Sequence, residues 1–195
     1  IVGDIGQPVV VTRELKPVKI ERRPSGAYIL DFGENIAGVD RIRLAKPHPG
    51  AVIVVRHGED LDRDGNLWRG NLAFAGAKTV LTCGPKAPFE YSPRFTFFGY
   101  RYAEISGWPA DEELTSDSVN ALVLSAAVKP TGSFECSNEL LNRLYANVRR
   151  SQQANFIDVP TDCPQRCERF GWTGDAQIFA ETAMMNYDVQ RFFVK

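Results

Sequence analysis

Between residues 158 and 177 the chain reads Asp158-Val-Pro-Thr-Asp-Cys-Pro-Gln-Arg-Cys-Glu-Arg-Phe-Gly-Trp-Thr-Gly-Asp-Ala-Gln177. It packs Asp158, Asp162, Glu168 and Asp175 together with Arg166, Arg169 and the ring of Trp172. Cleaving a glycosidic bond needs one carboxylic acid to protonate the departing oxygen. A second carboxylate must activate water or attack the anomeric carbon. Acids crowded with an aromatic ring that can stack on a sugar suit that chemistry. Glu168 stands between arginines, which favour its ionised form, and just before Phe170 and Trp172, whose apolar rings favour the protonated one. Each acid also has a purely structural role open to it. Asp175 can complement a helix dipole, and Asp162 can close an Asx-turn before Cys163-Pro164.

Pro160, Pro164, Gly171 and Gly174 forbid a regular helix through most of this stretch. It therefore reads as a loop, the usual seat of binding and catalytic groups on a rigid scaffold. Helical patterns flank it. Ser137 is a fair N-cap, and Leu140, Leu141, Leu144, Tyr145 and Val148 give the stripe of an amphipathic helix running to about Asn155. A second helix is expected from Thr173 or Gly174, with Ile178, Phe179 and Met185 available to pack. A third, capped by Asp188, covers Val189 to Lys195.

Residues 1 to 128 carry a different period. Val9–Thr12, Tyr28–Phe32, Arg41–Leu44, Val52–Arg56, Thr79–Thr82 and Val119–Leu124 are short apolar or alternating runs. Turn signals at Pro24-Ser-Gly26, Gly33-Glu-Asn35, His48-Pro-Gly50 and Arg63-Asp-Gly-Asn66 separate them. Strands without intervening helices predict an antiparallel sandwich. Arg94–Ile105 is the most aromatic run, with Phe95 and Phe97 on one face and Phe98, Tyr100 and Tyr102 on the other. Two apolar faces imply a central strand whose rings pack in the core. Gly99 within it marks a bulge or a close backbone approach.

Composition limits the alternatives. The 195 residues are 44% hydrophobic with a formal net charge of -1, and acids and bases are interleaved, which excludes a nucleic-acid surface. No apolar run approaches the roughly 18 residues of a membrane span. Asp62-Arg-Asp-Gly-Asn66 fails as a calcium loop, because Leu67 and Ala73 stand where glycine and glutamate belong; a hairpin turn fits better. Cys83, Cys136, Cys163 and Cys167 are too scattered for a disulfide scaffold. Cys163 and Cys167 are close enough for a strained disulfide or half a metal site, but neither His48 nor His57 is near them in sequence. His57 reads as a strand-end histidine with an ordinary hydrogen bond. No cofactor or metal is expected.

The run Asp162-Cys-Pro-Gln-Arg-Cys-Glu-Arg-Phe-Gly-Trp-Thr-Gly-Asp175 closely resembles the catalytic motif of the bacterial α-L-rhamnosidases of glycoside hydrolase family 78. Asp31-Phe-Gly-Glu-Asn-Ile-Ala-Gly38, Arg56-His-Gly-Glu-Asp-Leu61 and Arg94–Tyr102 resemble segments of the β-sandwich that precedes the barrel in that family. The resemblance implies an inverting glycosidase with an (α/α)6 barrel, removing terminal α-L-rhamnose from glycosides or polysaccharides. It implies Glu168 as general acid, with Asp162, Arg166, Trp172 and Asp175 lining the sugar subsite. Cys167 departs from the pattern, which has aspartate before the glutamate. The resemblance places the general base downstream of Lys195.

The expected organisation is a β-sandwich over 1–130 and the opening helices of an (α/α)6 barrel over 131–195. The chain reads as a piece of a longer enzyme, inactive alone because the base lies outside it. A carbohydrate-binding module, in which the acids only orient a sugar, is the alternative.

Overall fold

The computed structural model describes residue 3 and residues 5–195. In chain order the elements are β1 (Val9–Leu15), β2 (Lys19–Arg22), β3 (Tyr28–Leu44), β4 (Val52–Gly58), β5 (Asp60–Leu61), β6 (Leu67–Trp68), β7 (Lys78–Thr82), β8 (Phe89–Tyr91), β9 (Phe98–Ser106), β10 (Val119–Ala126), β11 (Lys129–Pro130), α1 (Glu139–Asn155), α2 (Thr173–Asn186), β12 (Tyr187–Asp188) and α3 (Gln190–Phe193). An antiparallel β-sandwich is thus followed by helices. The chain divides into two compact units. One holds Arg13–Val123 with Gln165–Cys167, the other the residues up to Thr12, Leu124–Pro164 and Glu168–Lys195.

The β unit is built around β3. Strand order is β1-β10-β3-β9-β4-β7, with β2 and β8 also on β3. Tyr28–Asp31 pair with β2 and with Tyr102–Ile105 of β9, whereas Gly38–Ile42 pair with β10. The expected turn at Gly33-Glu34-Asn35 is instead an irregularity inside one 17-residue strand, where the register on β9 shifts between Asp31 and Ile36. Gly33 adopts φ +80°, which glycine tolerates best. Its N–H donates to Asp31 Oδ1 at 2.7 Å. The same carboxylate takes Arg101 Nε and Nη2, each at 2.8 Å, in a two-pronged bond. The irregularity redirects the strand without ending it.

Alternation then fills the core. Leu30, Phe32, Ile42, Leu44, Ile53, Val55, Tyr100, Ile105 and Val119 are buried together. Phe98 and Tyr100 belong to that face as expected. Phe95 and Phe97 do not belong to the strand: β9 starts at Phe98, and Phe95 has φ +60° and is fully exposed. Inside the core sits a polar group the strand pattern concealed. His57 and Asp40 are both wholly buried, with Nε2 2.6 Å from Oδ2, and His57 Nδ1 lies 3.2 Å from the Ala77 carbonyl. Both ring nitrogens face acceptors, so His57, one residue from the end of β4 as expected, is also a core anchor. Tyr100 donates to Asp40 Oδ1 at 3.2 Å, and Phe98 stacks on the imidazole at 4.2 Å. Burial first, and the Asp40 charge second, push the Tyr100 phenol well above its ordinary range. At the β5–β6 hairpin, Asp62 Oδ1 accepts from the N–H groups of Asp64 and Asn66, the turn role expected of it.

In the helical unit the cap of α1 is Asn138, one residue beyond Ser137: its side chain accepts from Leu140 N at 3.0 Å. The third helix is shorter than expected, Gln190–Phe193 with Val189 at its N-cap, and Tyr187–Asp188 just before it pair with Lys129–Pro130. Phe156, Ala183, Tyr187, Val189 and Phe192 form the core of this unit, with Phe156 stacked on Phe192 at 4.4 Å. Phe179, one of the residues available to pack, meets Phe156 edge to face. Leu140, Leu144 and Ile178 stay largely exposed.

Two outcomes follow from the β unit. His57→Leu leaves the Asp40 charge buried with only a phenol to answer it, and should cost about 3–5 kcal/mol in urea unfolding. A change inside the roughly ±0.5 kcal/mol of ordinary surface substitutions would deny the pair its anchoring role. The second concerns acid. Arg101's hydrogen bonds, aided by Gly33 N–H, outweigh burial and hold the Asp31 carboxyl below its ordinary range. A depressed carboxyl stabilises the fold above its unfolded-state pKa of about 3.9 and loses that contribution as pH falls through the lower folded value. Wild type should therefore exceed Asp31→Asn in urea midpoint at neutral pH, and the gap should close on acidification below about pH 4. A gap independent of pH would assign the difference to shape instead of charge.

Candidate functional site

Prolines deprive the 158–177 loop of backbone donors, so individual bonds must fix its path. At its start, Thr161 N donates to the Asn155 carbonyl at 3.0 Å, and Thr161 Oγ1 lies 3.0 Å from Asn155 Oδ1. Phe156 and Pro160 form an isolated bridge. At its end, Trp172 N donates to the Pro160 carbonyl at 3.1 Å, drawing the two limbs together. The Glu168 carbonyl accepts from Phe170 N at 2.9 Å and from Trp172 Nε1 at 3.0 Å. Phe170 and Trp172 meet edge to face at 6.1 Å. The indole therefore fixes the backbone at Glu168 while 40% of its own surface remains exposed.

The structure brings together some expected site residues and separates others. Asp162, Cys163 and Glu168 each offer one ligand atom, all within 4.8 Å of one another. Asp162 Oδ1 is buried and accepts no hydrogen bond among the described residues. Asp175 lies in the first turn of α2, beyond Trp172 at the N-cap. Asp162 and Asp175 both line a cavity of about 510 Å³, with Gln152, Asn155, Thr161 and Phe179. That is within the size range of small-molecule sites. Glu168 and Trp172 are not among its lining residues. Arg166, with Gln165 and Cys167, packs in the β unit. Asp158 is exposed and pairs with Lys195.

All four cysteines carry free thiols, so Cys163 and Cys167 are not joined. Among the described residues, Asp162, Cys163 and Glu168 are the group that could hold a cation, and neither Cys167 nor a histidine belongs to it. Sequence reasoning overlooked Gln152 and Asn155. Gln152 is buried in α1, where Nε2 donates to the Ala183 carbonyl at 3.2 Å and Oε1 accepts from Asn186 Nδ2 at 3.0 Å. The signal was available: Gln152 and Asn155 stand four and seven residues after Val148, on the face the apolar stripe had already marked.

Comparison with known proteins covers both parts of the chain. A family model described as the bacterial alpha-L-rhamnosidase concanavalin-like domain matches residues 21–125. A second, the bacterial alpha-L-rhamnosidase 6 hairpin glycosidase domain, matches residues 129–195. An alpha-L-rhamnosidase of Streptomyces avermitilis is 37% identical over 195 residues, covering 100% of this chain and 19% of that protein. Among solved structures, the alpha-L-rhamnosidase from Dictyoglumus thermophilum superposes with TM-score 0.92 at 39% identity, covering 97% of this chain and 21% of that one. The Streptomyces avermitilis enzyme complexed with L-rhamnose gives TM-score 0.93 at 36% identity, covering 100% and 19%. The chain thus spans about a fifth of the length of these relatives. With a sandwich domain and a helical segment both matched in order, and a loop of two converging carboxylates between the helices, the chain belongs to the bacterial α-L-rhamnosidase family.

Proposed function

We propose that this chain is the acid-bearing part of an inverting α-L-rhamnosidase that releases terminal α-L-rhamnose, with its domain boundary near residues 130 and 131. The observation that carries the reading is the Asp162–Glu168 approach within a loop whose backbone at Glu168 is fixed by Trp172. Glu168 is the general acid. Asp162, Arg166, Trp172 and Asp175 hold the sugar. The cavity that Asp162 and Asp175 line supports their part, and the rhamnose complex of the Streptomyces avermitilis relative supports the sugar.

The geometry also bears on the base. Inversion requires room for a water, with carboxyl groups about 6.5–9.5 Å apart. Asp162 approaches Glu168 within 4.8 Å, too near for that role. Asp162 therefore binds substrate, and the base is a carboxylate elsewhere in the full-length enzyme. By itself the chain would bind sugar and turn it over poorly. The motif that the chain resembles has aspartate where this chain has Cys167, so the residue next to Glu168 on that side is an uncharged thiol with Arg166 beyond it.

Assay of the full-length enzyme tests this. Glu168→Gln removes the proton and keeps the shape, so hydrolysis of rhamnosides with poor leaving groups should fall about 10²–10⁴-fold. An activated aryl rhamnoside, whose leaving group needs little protonation, should lose much less. Small and equal losses on both substrates would take the acid role from Glu168, and sugar binding without any turnover would favour a carbohydrate-binding module. A separate outcome concerns the sugar contacts. Asp175→Asn should weaken rhamnose binding by about 1.5–3 kcal/mol, the value of a hydrogen bond to a charged group, and Trp172→Ala should weaken it through lost ring contact. Both should keep the far-UV circular dichroism of the sandwich. Unfolding of residues 1–128 by either variant would make these residues structural.

A further inference from the structure

We infer that Gly99, a buried glycine in a sandwich strand, is a positioning residue for the acid-bearing loop. Gly99 pairs with Ala37 in the β3–β9 ladder and is not among the glycines with positive φ, so its backbone does not require glycine. Space does. A Cβ at this position would lie 2.7 Å from Gln165 N, 2.8 Å from Gln165 Cα and 2.8 Å from Gln165 Cβ. Carbon contacts are favourable only near 3.5–4.0 Å. The bare backbone of β9 is therefore the surface against which Gln165 rests. Gln165 stands next to Arg166 and three residues before Glu168.

What yields to an added methyl is decided by anchoring. The neighbours of Gly99 on β9 point the other way, into the core. Phe98 stacks on His57 at 4.2 Å, and Tyr100 donates to buried Asp40 at 3.2 Å. Strand β9 is also paired with β3 in register at Phe98, Gly99 and Tyr100. Gln165–Cys167 belong to no helix or strand. The segment is the softer partner, so an alanine would displace it and leave the strand in place. Two of the three crowded atoms are backbone, which makes trimming the Gln165 side chain useless as relief. Gly84, in the same sandwich, has nothing within 4 Å of its ideal Cβ and provides a matched control.

The kinetic consequence rests on Glu168 being the acid, whereas the structural consequence does not, so two measurements are made on the full-length enzyme. In the first, trypsin under native conditions should cut Gly99→Ala after Arg166 and Arg169 at least tenfold faster than wild type, with the rest of the sandwich intact. Gly84→Ala should behave as wild type, and Gly99→Ala/Gln165→Gly should remain fast. In the second, kcat of Gly99→Ala on an unactivated rhamnoside should fall about 10²-fold, the scale of a 1 Å misplacement, with a smaller loss on an activated aryl rhamnoside. Unchanged nicking would overturn the inference, as would nicking spread through the sandwich, which would mean that Gly99 serves the fold alone. Faster loop nicking with unchanged kcat would keep the seat but end its role in positioning the acid. A wild-type enzyme without turnover would count against the acid and leave the nicking result to decide on the seat.

Discussion

Strand β3 is the constraint on which the β unit depends. Its 17 residues supply pairing edges to β2, β8, β9 and β10, so one backbone sets the register of four neighbours. A strand this long would twist away from a compact core. The local break after Asp31 corrects it, and the carboxylate of Asp31 occupies the break by binding Gly33 N–H and the Arg101 fork. Because the side-chain period is two, any slip at that point would turn the buried residues outward. The Asp40–His57–Tyr100 group enforces the same register from inside, since its three members come from β3, β4 and β9.

The acidic loop works by a different rule. It has no ladder to inherit and is shaped by individual donors on individual carbonyls. Pro160 and Glu168 provide the carbonyls, and Trp172 supplies a donor to each, one from its backbone and one from its indole. One aromatic residue thereby links the limbs of the loop and fixes the main chain at the proposed acid. A fixed backbone narrows where the Glu168 side chain can lie, and proton transfer depends on the donor's location.

Much of this could be read from the chain. The β-to-α change near residue 129, the extent of α1 and the start of α2 follow from periodicity, and the irregular path of the loop follows from its prolines and glycines. What stayed hidden is physically uniform. The break in β3 looked like a turn, because Gly33-Glu34-Asn35 is turn-forming locally and only pairing with β9 keeps it extended. The buried His57–Asp40 pair was invisible because the partners are 17 residues apart and meet only across strands. Phe95 and Phe97 were misplaced because aromatic content says nothing of where a strand begins. Gln152 was passed over as polar, although its place on α1 continued the packed face.

The pairing pattern of β3 also sets an order of events during synthesis. Tyr28 of β3 pairs with Ile105, and Ile42 pairs with Val119, so the strand made early must wait for partners made much later. Ladders of such high sequence separation close slowly, because loop-closure entropy is lost before contacts repay it. Until β10 emerges, β3 exposes unpaired edges and a row of apolar side chains, the conditions under which nascent chains aggregate. Arg41 and Arg43, partly exposed and two residues apart on the face opposite buried Ile42 and Leu44, then have a second use. Charges at such positions disfavour pairing with a neighbouring chain.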